Sequence, residues 1–227
     1  AAVQRLLQEE TQHVFDLSQA PLWRARLLRL DDDEYVLSLS VHHIIFDGWS
    51  MEVLARELQT LYAAFRAGAP SPLAPLPLQF TDYAIWERER SHEETLAAQR
   101  EYWRAQLSGL APLHLPASLP HPARITFRGG VQSGAMSRDV LDALQALARR
   151  EQATLFMVAL AAFDLLLMRQ SGQDDVAVGT VAAGRDRTEL EGVIGYFANT
   201  LVLRTDLAGD PTFTELLRRV RRTVLDA

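Results

Sequence analysis

The chain has 227 residues, 48% of them hydrophobic and 23% charged, a balance that fits a globular protein with a sizeable core and excludes disorder or a fibrous repeat. A net charge of -6 argues against nucleic acid as a partner, and the basic run "LLRRVRRT" at 216–223 reads as one face of a helix rather than a groove. The absence of cysteine excludes disulfides, thiolate metal sites and a cysteine nucleophile.

Taken in chain order, apolar residues at Val3, Leu6, Leu7 and Val14 predict a helix within 2–15, leading into the turn "DLSQAP". Nothing in its first residues has the charged-then-apolar layout of a signal peptide, so a cytoplasmic setting is expected. The segment 22–30 sets Leu22, Arg24, Arg26 and Leu28 against Trp23, Ala25 and Leu27, and "DDDE" separates it from "YVLSLSVHH" at 35–43; the pair predicts a hairpin. A helix follows, with Met51, Leu54, Leu58, Leu61, Tyr62 and Phe65 on one face, Ser50 as its cap and Gly68 at its end. Beyond the Pro-rich loop 69–77, two helical patterns cover 81–90 and 92–109.

A second Pro-rich stretch, 110–124, has no usable period and is expected to connect two lobes. The second half predicts a strand around 127–136, a helix from a Ser137 cap, and an apolar helix within 153–168. That run is too short to span a bilayer and contains Asp164, so no membrane is expected. A strand at 174–183, a loop, a short strand at 201–207 and a closing helix from Thr212 complete an α+β order without βαβ rhythm.

The segment "SVHHIIFDGWSM" at 40–51 places two of the six histidines at the end of a strand that reads as buried. Alternation puts His43 on the apolar row with Leu37, Leu39 and Val41, and His42 on the row of Ser38 and Ser40. Gly48 is expected to supply backbone freedom for a sharp turn after Asp47. Core histidines on apolar faces are commonly structural, and spacing alone does not choose between that reading and catalysis. Metal binding is disfavoured, because adjacent strand histidines point oppositely and no helical His-x-x-x-His pair exists. A serine hydrolase fails too, since Ser50 lacks the Gly-x-Ser-x-Gly turn. An imidazole here could exchange protons at neutral pH, and a buried Asp47 would need a cationic partner. His13, His92, His114 and His121 read as surface residues; Trp86, Tyr102 and Trp103 read as packing; "RGG" at 128–130 is either a bulge or a channel-lining turn.

These residues resemble the condensation domains of nonribosomal peptide synthetases, in the chloramphenicol-acetyltransferase-like superfamily. "HHIIFDGWSM" matches the family's His-His-x-x-x-Asp-Gly signature. "LPLQFTDYAIWERER" at 76–90 is similar to its Tyr-x-Asp-Tyr-Ala-x-Trp segment with Phe80 for the Tyr, and "IGYFANTLVLR" at 194–204 is similar to its Ile-Gly-x-Phe-Val-Asn-Thr segment with Ala198 for Val. Three ordered segments are far more specific than one.

The resemblance implies a two-lobed α+β sandwich, of which 1–110 would be the latter part of an N-terminal lobe, 111–124 the inter-lobe connection and 125–227 the first part of a C-terminal lobe. Family members are roughly twice this length, so a central portion of the domain is implied. It implies amide-bond formation between two carrier-bound substrates, with His43 facing the channel as catalytic group and His42 structural. Asp47 would pair with an arginine, Arg185 ahead of Arg187 and Arg204, while Gly48, Trp49 and Asn199 would shape the channel. No metal and no directly bound cofactor is implied: substrates arrive on phosphopantetheine arms of an upstream donor and a downstream acceptor peptidyl carrier domain, beside an adenylation domain. The motif wording looks more like members that join an L-donor to an L-acceptor. Epimerisation, ester formation, or a catalytically silent docking platform are the alternatives.

Overall fold

The computed structural model of the chain describes residues 2–90, 93–116 and 129–227. Two compact units result, one from 1–92 with 182–199, the other from 93–181 with 200–227.

In the first unit, helix α1 (Ala2–Thr11) precedes a hairpin of β1 (Trp23–Arg29) and β2 (Tyr35–Val41). The strands are antiparallel, with Ala25 opposite Leu39 and Leu27 opposite Leu37. The register gives one polar and one apolar face, and their fates reverse the expectation of a buried apolar strand. The polar face is the half-buried one: Glu10 of α1, 6% exposed, receives Arg26 Nε at 2.8 Å and Arg24 Nε at 3.3 Å. A buried carboxylate flanked by two guanidiniums satisfies its charge without an apolar lid. The apolar face, carrying Trp23, Leu27, Leu37 and Leu39, is exposed.

Strand β2 ends at Val41, although the His42 N–H still donates to the Leu22 carbonyl at 2.9 Å; His43 leaves the strand, and His43–Ile45 form a 3-10 turn with His42 as its extended N-cap. Helix α2 (Gly48–Arg66) then begins three residues earlier than a Ser50 cap would allow. Asp47 is its N-cap, extended in backbone and accepting the Ser50 N–H at 2.8 Å. Gly48 has no left-handed backbone, and a Cβ there would meet open space, so the turn is made by the aspartate cap rather than by glycine freedom. Gly68, at φ +70°, lies just beyond the end of α2, where a left-handed residue terminates a helix. Helix α3 (Phe80–Arg90) packs Phe80 and Tyr83 against a small core of Leu190, Val193 and Phe197.

The second unit holds α4 (Glu93–Leu107), α5 (Arg138–Arg150), α6 (Leu155–Ser171), β3 (Asp175–Ala182), β4 (Asn199–Asp206) and α7 (Phe213–Asp226), with β3 and β4 forming a two-stranded sheet. Ser137 caps α5, Thr154 caps α6, and Thr212 caps α7 in a reciprocal box with Glu215. The core joins Met157, Val158, Leu160 and Ala161 of α6 to Val176, Leu203 and the Leu216, Leu217 and Val220 face of α7. Asp164 lies fully buried on that same face of α6. The strand expected around 127–136 does not form over 129–136, which is irregular, as two glycines and a further Gly134 would favour. Residues 127 and 128, His92, His121 and most of the 111–124 connection lie outside the described residues. His13 and His114 are exposed, Trp86 belongs to α3, and Tyr102 and Trp103 stack edge to face in α4, 5.0 Å apart.

Candidate active site

The first unit brings 42–50 together with 184–197. Arg185 is the link. Its Nη2 lies 3.1 and 3.3 Å from the two Asp47 oxygens and 3.1 Å from Ser50 Oγ, while its Nη1 donates to the carbonyls of Leu190 and Val193 at 2.6 and 2.7 Å. The guanidinium also lies over the Phe197 ring, 4.0 Å from its centre. Of the other arginines, Arg187 stacks on Trp86 at 4.7 Å, and Arg204 forms a two-point pair with Asp175, at 2.8 and 2.7 Å, in the second unit.

Asp47 is buried, yet its carboxyl is held below the ordinary carboxylate range. Burial alone would raise it, but hydrogen bonds from Ser50, from the Phe197 N–H at 3.1 Å and from Arg185 outweigh that cost. Ser50 is fully buried and ties the loop back: its Oγ donates to the Gly195 carbonyl at 2.9 Å and accepts the Gly195 N–H at 3.0 Å. Sequence reading overlooked this serine beyond its capping role, although a small hydroxyl three residues after a capping aspartate is a signal for such a bridge. The packing explains two glycines as well. A side chain at Gly195 would run into the Phe80 ring, and one at Gly184, which has φ +64°, would meet the Phe197 carbonyl.

The two histidines have different surroundings. His42 Nδ1 accepts the Ile44 N–H at 3.1 Å, and its ring meets Phe15 edge to face at 6.0 Å, so it caps the 3-10 turn. His43 is exposed, and its Nδ1 lies 2.5 Å from the Phe46 carbonyl. A carbonyl can only accept, so Nδ1 carries the proton, and in the neutral ring the lone pair is at Nε2. An exposed imidazole with an Nε2 lone pair can accept a proton from, or orient, an approaching amine or hydroxyl.

Trp49 is 41% exposed, with its indole N–H donating to the Glu191 carbonyl at 2.9 Å. Gly48 opens α2, and Asn199 begins β4 as an exposed residue. Tyr83 borders the Phe197 cluster, its phenol pushed up to about 12 by burial and by Glu87 and Asp186. Among the described residues no cluster of His, Asp and Glu has the makings of a metal site.

Comparison with known proteins gives these features a family. A family model described as Condensation domain matches residues 1–227. A linear gramicidin synthase of Brevibacillus parabrevis is 49% identical over 228 residues, a match covering 100% of this chain and 4% of that protein. Among solved structures, the X-domain in complex with OxyB from teicoplanin biosynthesis is 35% identical at a TM-score of 0.87, covering 99% of this chain and 50% of that one. A four-domain nonribosomal peptide synthetase bound to AMP and glycine is 26% identical at a TM-score of 0.85, covering 99% of this chain and 17% of that one.

Proposed function

This chain belongs to the condensation domain family of nonribosomal peptide synthetases, and on that premise we propose that it contributes the histidine-bearing centre of an amide-forming active site. It has the α+β, chloramphenicol-acetyltransferase-like fold of that family, whose members catalyse amide-bond formation and take substrates from carrier domains bearing phosphopantetheine. The curated relatives are multidomain synthetases, and the chain spans a few per cent of the gramicidin synthase and half of the matched X-domain.

The reading is of a central portion of the domain, with 1–110 and 125–227 contributing to two lobes joined through 111–124. A donor acyl thioester arrives on an upstream peptidyl carrier domain and an acceptor aminoacyl thioester on a downstream one, next to an adenylation domain, in the cytoplasm and with no cofactor of the chain's own. The acceptor's α-amine attacks the donor carbonyl, forming a C–N bond. The C–S bond breaks, and the proton shed by the amine ends on the departing carrier thiol. Nε2 of His43 is the group that orients the amine or accepts that proton. An α-amine near pKa 8 needs little assistance, so holding the two thioesters together supplies most of the gain. Asp47, with Arg185 and His42, would fix the loop that presents His43, while Gly48, Trp49 and Asn199 shape the approach. The sequence wording around 43–51 and 184–204 favours an L-donor and an L-acceptor.

One observation carries this reading: His43 is exposed, with Nδ1 committed to the Phe46 carbonyl, which leaves Nε2 as the nitrogen that can meet a substrate. In the parent synthetase, His43→Ala is expected to abolish extended product while the domain stays folded; undiminished product would refute it. Chiral mass spectrometry of the carrier-bound product separates extension from epimerisation. A second reading has one observation in its favour, the likeness to an X-domain solved in complex with OxyB, which points to a platform for a partner enzyme. Under that reading His43→Ala leaves product formation intact and loss of partner binding follows changes elsewhere on the surface.

A further inference from the structure

Tyr196 has no part in the fold's interior and none in the roles assigned above. It sits between two buried residues whose backbones are pinned to the start of α2: Gly195 through both its N–H and its carbonyl to Ser50 Oγ, and Phe197 through its N–H to Asp47 Oδ2 at 3.1 Å. Residues 195, 196 and 197 run buried, exposed, buried, so the side chain of Tyr196 is directed away from the small core that takes Phe197. It is 42% exposed, and its ring meets the His43 imidazole edge to face, with centroids 5.3 Å apart and planes at 83°. A backbone fixed at both neighbours thus holds this aromatic outside the core and against the His43 ring.

We propose that Tyr196 is a positioning residue for His43. Among the described residues the imidazole has one hydrogen bond, at Nδ1, which fixes its tautomer but leaves the ring free to swing about the Nδ1 contact. The Tyr196 ring closes off that swing on one side and keeps Nε2 presented toward the incoming amine. The same network that buries Asp47 and Arg185 sets where Tyr196 stands, so this ring adds a second link between the ion pair and the imidazole beside the Phe46 carbonyl. The inference rests on the reading that His43 Nε2 handles the acceptor amine.

Because misplacement of a reacting group by about 1 Å can cost two orders of magnitude in rate, the effect should fall on turnover rather than on binding. In the parent synthetase, Tyr196→Ala is expected to lower the single-turnover rate of condensation by about 10- to 100-fold with the acceptor's half-saturation unchanged, and to do so equally for a glycyl and a bulky acceptor. Tyr196→Phe, which keeps the ring, should restore the rate to within about twofold. Tyr196→Thr, suited to an extended exposed position, should behave as Tyr196→Ala and serves if the alanine variant does not fold. A wild-type rate in Tyr196→Ala, a loss confined to half-saturation, a loss that varies with acceptor size, or no rescue by phenylalanine would each overturn the proposal. Should His43→Ala itself leave the rate unchanged, the underlying reading fails instead, so the two failures are distinguishable.

Discussion

Arg185 Nη2 lies 3.1 Å from one Asp47 carboxylate oxygen and 3.3 Å from the other, across 138 residues of chain, with the two side chains 1% and 3% exposed. Such a pair gains little over apolar packing of the same shape, but its halves cannot be separated cheaply, because each would leave a buried charge behind. The same guanidinium satisfies the Leu190 and Val193 carbonyls, so its loss would orphan those as well.

Arg185→Ala is therefore expected to destabilise the domain by about 3–5 kcal/mol, and Arg185→Lys by nearly as much, since an ammonium cannot serve Asp47 and two carbonyls in one plane. Asp47 adds a pH signature. Its folded-state pKa is lowered, so its contribution is present above the unfolded value near 3.8 and is lost as pH falls through the lower folded value. Urea unfolding of the domain should show an acid-side loss that Asp47→Asn reduces, the remainder belonging to other carboxylates held low, such as Asp175. Equal acid sensitivity in the variant would contradict this.

Asp164 predicts the opposite slope. It is fully buried on α6, and among the described residues neither of its oxygens has a hydrogen-bond partner, nor does Oγ1 of neighbouring Thr205. Burial pushes the carboxyl up to about 6. An acid with a raised folded pKa holds its proton while the unfolded chain releases it, so stability falls as pH rises from about 4 to about 6 and is level above that. The displacement corresponds to a loss on the order of 3 kcal/mol. The measurement is the difference in unfolding free energy between Asp164→Asn and wild type from about pH 4.5 to about pH 7.5; it should move in the variant's favour as pH rises. A flat difference would show that Asp164 ionises as readily in the folded state.

The exposed apolar face of the hairpin gives a third expectation. Leu27 opposite Leu37 and Ala25 opposite Leu39, flanked by Trp23 opposite Val41, form a contiguous strip, with Leu27 67% exposed. Fully covering a leucine is worth about 1.5–3 kcal/mol, so the strip should seek a cover. The 227-residue chain produced by itself should self-associate and bind a hydrophobic dye, and Leu27→Lys with Leu37→Glu should suppress both. Monodisperse, dye-silent chain in light scattering would count against it.

Element type was legible wherever the apolar period was long or the turn chemistry strong. The i, i+3, i+4 spacing from Met51 to Phe65 favours a helix, "DDDE" between two alternating runs favours a hairpin, and Ser137 and Thr212 stand just ahead of their helices, where a hydroxyl can take a first-turn N–H group. Of the candidate site, His42, His43, Asp47, Gly48 and Trp49 stand together in the chain and were legible as one motif through the resemblance, whereas Arg185 lies 138 residues beyond Asp47. Three local readings went astray through competition between near-equal options. Asp47 prevailed over Ser50 as cap, His43 left the strand for a 3-10 turn that His42 caps, and glycines at 129, 130 and 134 kept an expected strand irregular.

What only the tertiary structure decided were relations between distant residues. Alternation tells which side chains share a strand face but not which face is covered; here Glu10 on α1, drawn to Arg24 and Arg26, selected the polar one. The resemblance put Arg185 ahead of Arg187 and Arg204 as the partner of Asp47, but their shared chemistry left all three open, and folding gave each a different site: Arg185 to the carboxylate, Arg187 to Trp86, Arg204 to Asp175. Charge and period are properties of the chain, whereas partnership depends on which groups the folded backbone leaves within about 3 Å of one another.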